Sequence, residues 1–261
     1  MTDEEKLEHI EKLRLIDDIF FEVFAQSREA VEEVLRVLLE DDGLTVERVV
    51  AQGNIRNLYG RSVRLDAACI LGDGTRCDVE VQRAENEDHA RRARFNASML
   101  TVSESEPGDK FSDVKNVVVI YISETDVFRE GKTAYHVKKT LAETETPFED
   151  GLEEIFVNAA VNDGSRIAQL MECFMKPEFD EPKFPKTTAR VNWLKQSEEG
   201  RNSMCEFSRL LIEEGAEERA IMMFINCLDD GMSVEKAKRL TELTDEQVQK
   251  ALKMREEFVM V

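Results

Sequence analysis

The sequence predicts an α/β fold with a mixed central sheet flanked by helices, followed by an all-helical C-terminal region. Three observations carry that expectation. Residues 63–82 alternate apolar and polar positions about a Gly72-Asp73-Gly74 turn signal, as a hairpin does. Val117–Ile122 is an unbroken run rich in β-branched residues, the pattern of a strand buried on both faces. From residue 203 onward, beyond a Pro-containing stretch, apolar residues recur at helical spacing.

The elements follow in chain order. Residues 7–41 place Leu13, Ile16, Phe20, Phe24, Val31, Val34, Leu35 and Leu38 at helical spacing, with a break near Gln26-Ser27 and Ser27 as the cap of a second helix. A first strand covers Leu44–Val50, and the hairpin comes next. Residues 86–102 read as a helix in which Arg91 and Arg94 share a face. After Val117–Ile122, further strands fall near 133–142 and 152–160, with Phe148–Gly151 as the turn between them. Pro177, Pro182 and Pro185 mark a loop or linker. These signals divide the chain into a core at 1–165, a connecting segment at 166–200 and a helical region at 201–261. Gly215 is placed to separate two helices within residues 203–228. Ser233 caps a short helix, and Thr244 with Gln247 forms a capping box for the next. The last two helices read either as a DNA-touching helix-turn-helix or as a packing and oligomerisation hairpin. The second reading is preferred because Asp245–Lys250 is not basic.

The hairpin carries the chemistry. Cys77, Val79 and Val81 fall on one face of the second strand, and Asp78, Glu80 and Gln82 on the other. A two-residue loop at Asp73-Gly74 would set Asp66 opposite Val81, on the wrong face. A three-residue loop with Gly74 left-handed sets Asp66 opposite Glu80, so that apolar meets apolar and acid meets acid. Asp66, Glu80 and Gln82 then lie within reach of one another, without Lys or Arg at those positions. Unpaired carboxylates held together are costly. A divalent cation would relieve that cost and suits phosphodiester hydrolysis. The same pattern also fits the wet face of an ordinary amphipathic hairpin.

Composition bounds the reading. The 261-residue chain can bury a sizeable core, and 42% hydrophobic with 7% aromatic residues argues against disorder. Five scattered cysteines without a C-x-x-C pair fit a reducing cytoplasm, and three distant histidines argue against a His-based metal cluster. No apolar run approaches a membrane span, and the acidic N-terminus is unlike a signal peptide. A formal charge of −20 opposes binding to a polyanion. Local charge is different: Arg83, Arg91, Arg92 and Arg94 cluster after the acidic motif, either facing a phosphate backbone or pairing with Glu85, Glu87 and Asp88.

The run Val63-Arg-Leu-Asp66 with Asp78-Val-Glu80-Val-Gln82 resembles the PD-(D/E)XK nuclease superfamily. More narrowly, it is similar to the branch of PD-(D/E)XK nuclease family transposases, the Rpn-type recombination-promoting nucleases, where Gln stands in place of Lys. Asp17-x-x-Phe20-x-x-x-Phe24 resembles that family's opening helix, Arg92-Ala-Arg94-Phe95 its Arg-rich aromatic helix, and Gly231–Lys250 the tail of many bacterial members. Leu65 stands where the family's Pro would be, and Phe21 where a Lys often follows the first Phe. The resemblance implies a restriction-endonuclease-like core and a Mg²⁺- or Mn²⁺-dependent DNA endonuclease associated with mobile elements or recombination. It implies Asp66, Glu80 and Gln82 as catalytic residues, and Asp66, Glu80 and the Val81 carbonyl as metal ligands. Arg83, Arg91 and Arg94 are expected DNA contacts. Gln82 can orient a water through its amide but brings no charge, so slow cleavage is expected. Asp17 is either a further acid or a helix N-terminal charge. The partner is double-stranded DNA, bound weakly and with strong salt dependence. Homo-oligomerisation through the helical region, an inactive nuclease fold serving as a binding module, and a phosphoesterase for nucleotides or RNA stay open.

Overall fold

The structure is a computed structural model that describes residues 3–50, 53–55, 63–83, 88–103, 108 and 110–259. These residues group into two units, one made of residues 1–55 and 63–204, the other running from residue 205 onward.

The N-terminal helical stretch divides into α1 (Asp3–Lys12), α2 (Asp18–Phe24) and α3 (Arg28–Leu38). The break at Gln26-Ser27 falls where the sequence places it. A second break at residues 13–17 has no Gly or Pro to announce it. Ser27 occupies the N-cap of α3, although its hydroxyl makes no capping bond. Apolar spacing on α3 buries Ala30, Val31, Val34, Leu35, Val37 and Leu38.

The strands are β1 (Val46–Val50), β2 (Gly53–Ile55), β3 (Val63–Leu65), β4 (Ala67–Leu71), β5 (Arg76–Gln82), β6 (Val117–Ser123), β7 (Ala134–His136) and β8 (Leu152–Asn158). Six of them form a mixed sheet in the order β1-β4-β5-β6-β8-β7, with β5, β6 and β8 mutually parallel and the other pairings antiparallel. β2 and β3 form a separate two-stranded sheet. The expected first hairpin strand, 63–71, is therefore split at Asp66. Every residue of β6 is buried, as its continuous apolar run requires. The strand expected near 133–142 ends early at His136. Beyond it, Val137–Gly151 is almost entirely exposed, keeping one isolated bridge between Thr140 and Pro147.

The hairpin register is the one that aligns acid with acid. Ala67 pairs with Val79, Ala68 with Asp78 and Cys69 with Cys77, which leaves Asp66 level with Glu80. The Leu71 N–H donates to the Thr75 carbonyl at 2.9 Å, and Gly74 sits at φ +88°, a left-handed conformation that suits glycine. Helix α4 (His89–Ser103) covers the acidic face, burying Ala93, Ala97 and Leu100 against Ala68, Val119 and Tyr121. α2 packs against β5 and α3 against β1.

Residues 166–200, expected as a connecting segment, carry α5 (Arg166–Phe174) and α6 (Pro185–Gln196), both packed on α3. Pro185 occupies the first turn of α6, where its missing N–H is harmless. Glu33 of α3 accepts both the N–H and the hydroxyl of Thr187 at 2.7 Å. Lys195 donates to the carbonyls of Glu11, Leu13 and Pro177.

α7 (Glu198–Asp229) is one continuous helix of 32 residues, most of which belongs to the second unit. Gly215 does not divide it; a glycine inside a helix costs only about 1 kcal/mol relative to alanine. The second half of α7 packs with α8 (Val234–Thr241) and α9 (Asp245–Val259) around Phe224, Ile225, Leu228, Ala237, Val248 and Ala251. The capping box is present: Gln247 N–H donates to Thr244 Oγ1 at 3.3 Å, and Thr244 N–H to Gln247 Oε1 at 2.9 Å. Ala237 of α8 and Val248 and Ala251 of α9 are buried in this cluster, while Val234 and Leu240 of α8 stay exposed. Among the described residues, no helix is long and apolar enough to cross a membrane.

Candidate active site

Strand alternation puts Asp78, Glu80 and Gln82 on the sheet face beneath α4, and the split at Asp66 turns that residue toward them. The Asp66 N–H donates to Glu80 Oε1 at 3.3 Å, and Asp66 Oδ2 accepts the Val81 N–H at 2.9 Å. A carboxylate thus occupies the place where strand pairing would otherwise continue. Val81, expected to offer its carbonyl to a metal, holds Asp66 through its N–H.

This face is dry. Glu80 is 1% exposed and Asp78 0%, so the acids do not form the wet side of an amphipathic hairpin. Burial pushes the Asp66 carboxyl well above the usual range, and the neighbouring Glu80 charge raises it further. Asp78 is also raised strongly, by burial first and then by the charges of Glu80 and Asp66. Glu80 is raised by burial, opposed chiefly by Arg92. Neither carboxyl oxygen of Asp78 has a hydrogen-bond partner as an acceptor; protonated, Asp78 is placed to donate to Glu80. Nearby on α4, the Asn96 Nδ2 is likewise buried without a partner.

Arg92 brings a positive charge into this environment from the helix. Arg92 Nη1 donates to Gln82 Oε1 at 2.7 Å, and Nη2 to Glu80 Oε2 at 3.3 Å. The helical phase that buries Ala93 and Ala97 brings Arg92 to the sheet and turns Arg91 and Arg94 to solvent. His89, one turn earlier, shares a 2.9 Å hydrogen bond with the buried Tyr121 hydroxyl.

The expected DNA contacts lie around this centre. Arg83 pairs with Asp17 at 2.8 Å and with Glu124 at 3.4 Å. Arg91 pairs with Asp88 at 3.2 Å, while Glu85 and Glu87 lie outside the described residues. Arg94 is exposed on α4. Asp17, considered as a further acid, is the N-cap of α2 and is held by the Arg14 N–H at 2.7 Å as well as by Arg83. The α2 acids whose charges reach Asp66 are instead Asp18 and Glu22, spaced i, i+4 on that helix. Sequence reasoning passes over these two, leaves Asp78 out of the catalytic and metal-binding set, and does not single out Arg92. The i, i+4 spacing and the D-x-E-x-Q alternation are the available signals.

Among the described residues, no three His, Cys, Asp or Glu side chains converge as a preformed cation cage. The donors nevertheless fit a hard divalent ion. Asp66 and Glu80 offer carboxylate oxygens side by side, and Asp78 leaves two buried oxygens without a proton donor. Mg²⁺ needs few protein carboxylates because it retains several waters.

A mixed sheet with carboxylates at adjoining strand positions, flanked by helices and followed by a helical region, defines a restriction-endonuclease-like protein. A family model described as PD-(D/E)XK nuclease family transposase matches residues 43–173, half of the chain, and takes in the whole hairpin, α4 and β6 to β8. The chain belongs to that family. Comparison with curated proteins and with solved structures returned no match.

Proposed function

We propose that this protein is a metal-dependent endonuclease acting on double-stranded DNA, in the service of mobile-element movement or recombination. The observation that carries the reading is the Asp66–Glu80 pair, level on one buried sheet face within a PD-(D/E)XK family chain. Asp66 and Glu80 would hold Mg²⁺ or Mn²⁺, with the Val81 carbonyl as a further oxygen donor. The ion, when bound, supplies a water of lowered pKa and neutralises charge developing on the phosphate. The chain's own groups do the rest. The Val81 N–H fixes one Asp66 oxygen, so the carboxylate keeps its orientation. α4 excludes bulk water from the acidic face, which strengthens charge interactions there. Arg83 and Arg91, after releasing their present acidic partners, and the exposed Arg94 would meet the DNA backbone, so binding weakens steeply with salt.

The test is nicking of supercoiled plasmid at low salt with Mg²⁺ or Mn²⁺, comparing wild type, Asp66→Ala and an EDTA control. Cleavage by wild type alone is expected. One observation favours a second reading, an inactive fold used for binding: Arg92 already sits on oxygens of Glu80 and Gln82. Well-folded wild type that shifts DNA in a gel but never cuts it, with either ion, would establish that alternative.

A further inference from the structure

We propose that Arg92 is the positioning cation of this site. It reaches across from α4 and supplies, through Glu80 and Gln82, the positive charge that a lysine at position 82 would bring from the strand.

The geometry makes this specific. Glu80 and Gln82 are two apart on β5, on the same face, so their side chains stand about 7 Å apart at their roots. The planar fork of a guanidinium can bridge them with separate nitrogens in a fixed geometry. Arg92 does so, one nitrogen to each side chain. Its side chain is 33% exposed, against 77% for Arg91, which pairs with Asp88 just before the helix. The Gln82 amide oxygen is engaged by Arg92 at 2.7 Å, so the first role of Gln82 is to seat the arginine. A glutamine suits that role, because its carbonyl accepts from a guanidinium, whereas a lysine there would repel one.

The same geometry has a second consequence. A cation donating to Glu80 Oε2 competes with any metal ion for that carboxylate. Arg92 therefore weakens metal binding while offsetting charge on the scissile phosphate. A merely structural residue would not produce effects of opposite sign.

The inference rests on the nuclease reading for its catalytic half, and the test separates the two. Mn²⁺ affinity and plasmid nicking would be measured for wild type, Arg92→Ala, Arg92→Gln and the double variant Arg92→Ala/Gln82→Lys, with thermal melts to confirm folding. In Arg92→Ala and Arg92→Gln, Mn²⁺ should bind about tenfold more tightly, while nicking at saturating Mn²⁺ should fall about a hundredfold. Returning the charge to the strand in the double variant should recover most of the nicking and weaken Mn²⁺ binding again. Unchanged nicking in both single variants would overturn the proposal, as would parallel loss of metal affinity and nicking in folded protein. If wild type never nicks DNA, the nuclease reading falls. The Mn²⁺ titration then decides alone, unchanged affinity counting against Arg92 and tighter binding for it.

Discussion

The two faces of β5 are buried to nearly the same depth and are made of opposite materials. Cys77, Val79 and Val81 are at most 1% exposed and meet apolar neighbours; Asp78 and Glu80, between them in sequence, are equally hidden and carry carboxyl groups. Only one face follows the ordinary chemistry of a protein interior. A buried charge without a partner weighs several kcal/mol against folding, and one arginine shared between Glu80 and Gln82 offsets part of that. The difference teaches that burial here does two jobs. On one side it stabilises the sheet, and on the other it holds acids in a strained electrostatic state that a bound cation would relax.

The comparison can be broken most violently by moving a carboxylate across the strand. Val79→Asp places a charge on the buried apolar face, and should destabilise the protein by about 4 kcal/mol. Urea titration checks it, and a loss under about 1 kcal/mol would mean the two faces tolerate charge alike. Asp78→Asn works in the opposite direction. The folded state raises the Asp78 pKa, so its contribution to stability is fully present below about pH 4. It is lost as pH rises toward the folded-state value. With EDTA present, Asp78→Asn should gain about 2 kcal/mol over wild type at pH 8 and almost nothing at pH 4. Melts at the two pH values decide it; an equal effect at both would remove titration as the cause. The smallest effect belongs to the turn that keeps the faces in register. At Gly74 a Cβ meets open space but φ is +88°, so Gly74→Ala should lower stability by about 1 kcal/mol through backbone strain alone. Nicking by that variant should be unchanged.

The parts legible in the sequence are those where local pattern and tertiary structure agree. Alternation and the Gly72–Gly74 signal determine the β4–β5 register, because a slip of one residue would turn the apolar set outward. The β6 run and the Thr244–Gln247 box are equally plain. The depth of Asp78 is not legible, because carboxylates ordinarily face water and nothing local says that a helix will cover them. Arg92 is hidden for a related reason. The buried stripe of α4 includes Ala93, Asn96 and Ala97, too weakly apolar to define which of the neighbouring arginines turns inward. The division at Asp66 eludes pattern reading because β3 and β4 continue the same alternation, and only the pairing of β3 with β2 separates them. α5 and α6 are obscured by three prolines, one of which opens a helix.

The turn between β4 and β5 also limits how such a gene can drift. Because side chains on paired strands alternate, Asp66 and Glu80 share a face only while the chain between them keeps its parity. Insertion or deletion of a single codon near Gly72 would reverse the partnership without touching either acid. Changes of two residues would preserve it. The spacing between these acids is therefore inherited as an odd-or-even property, and a descendant could retain every motif residue and still lose the site.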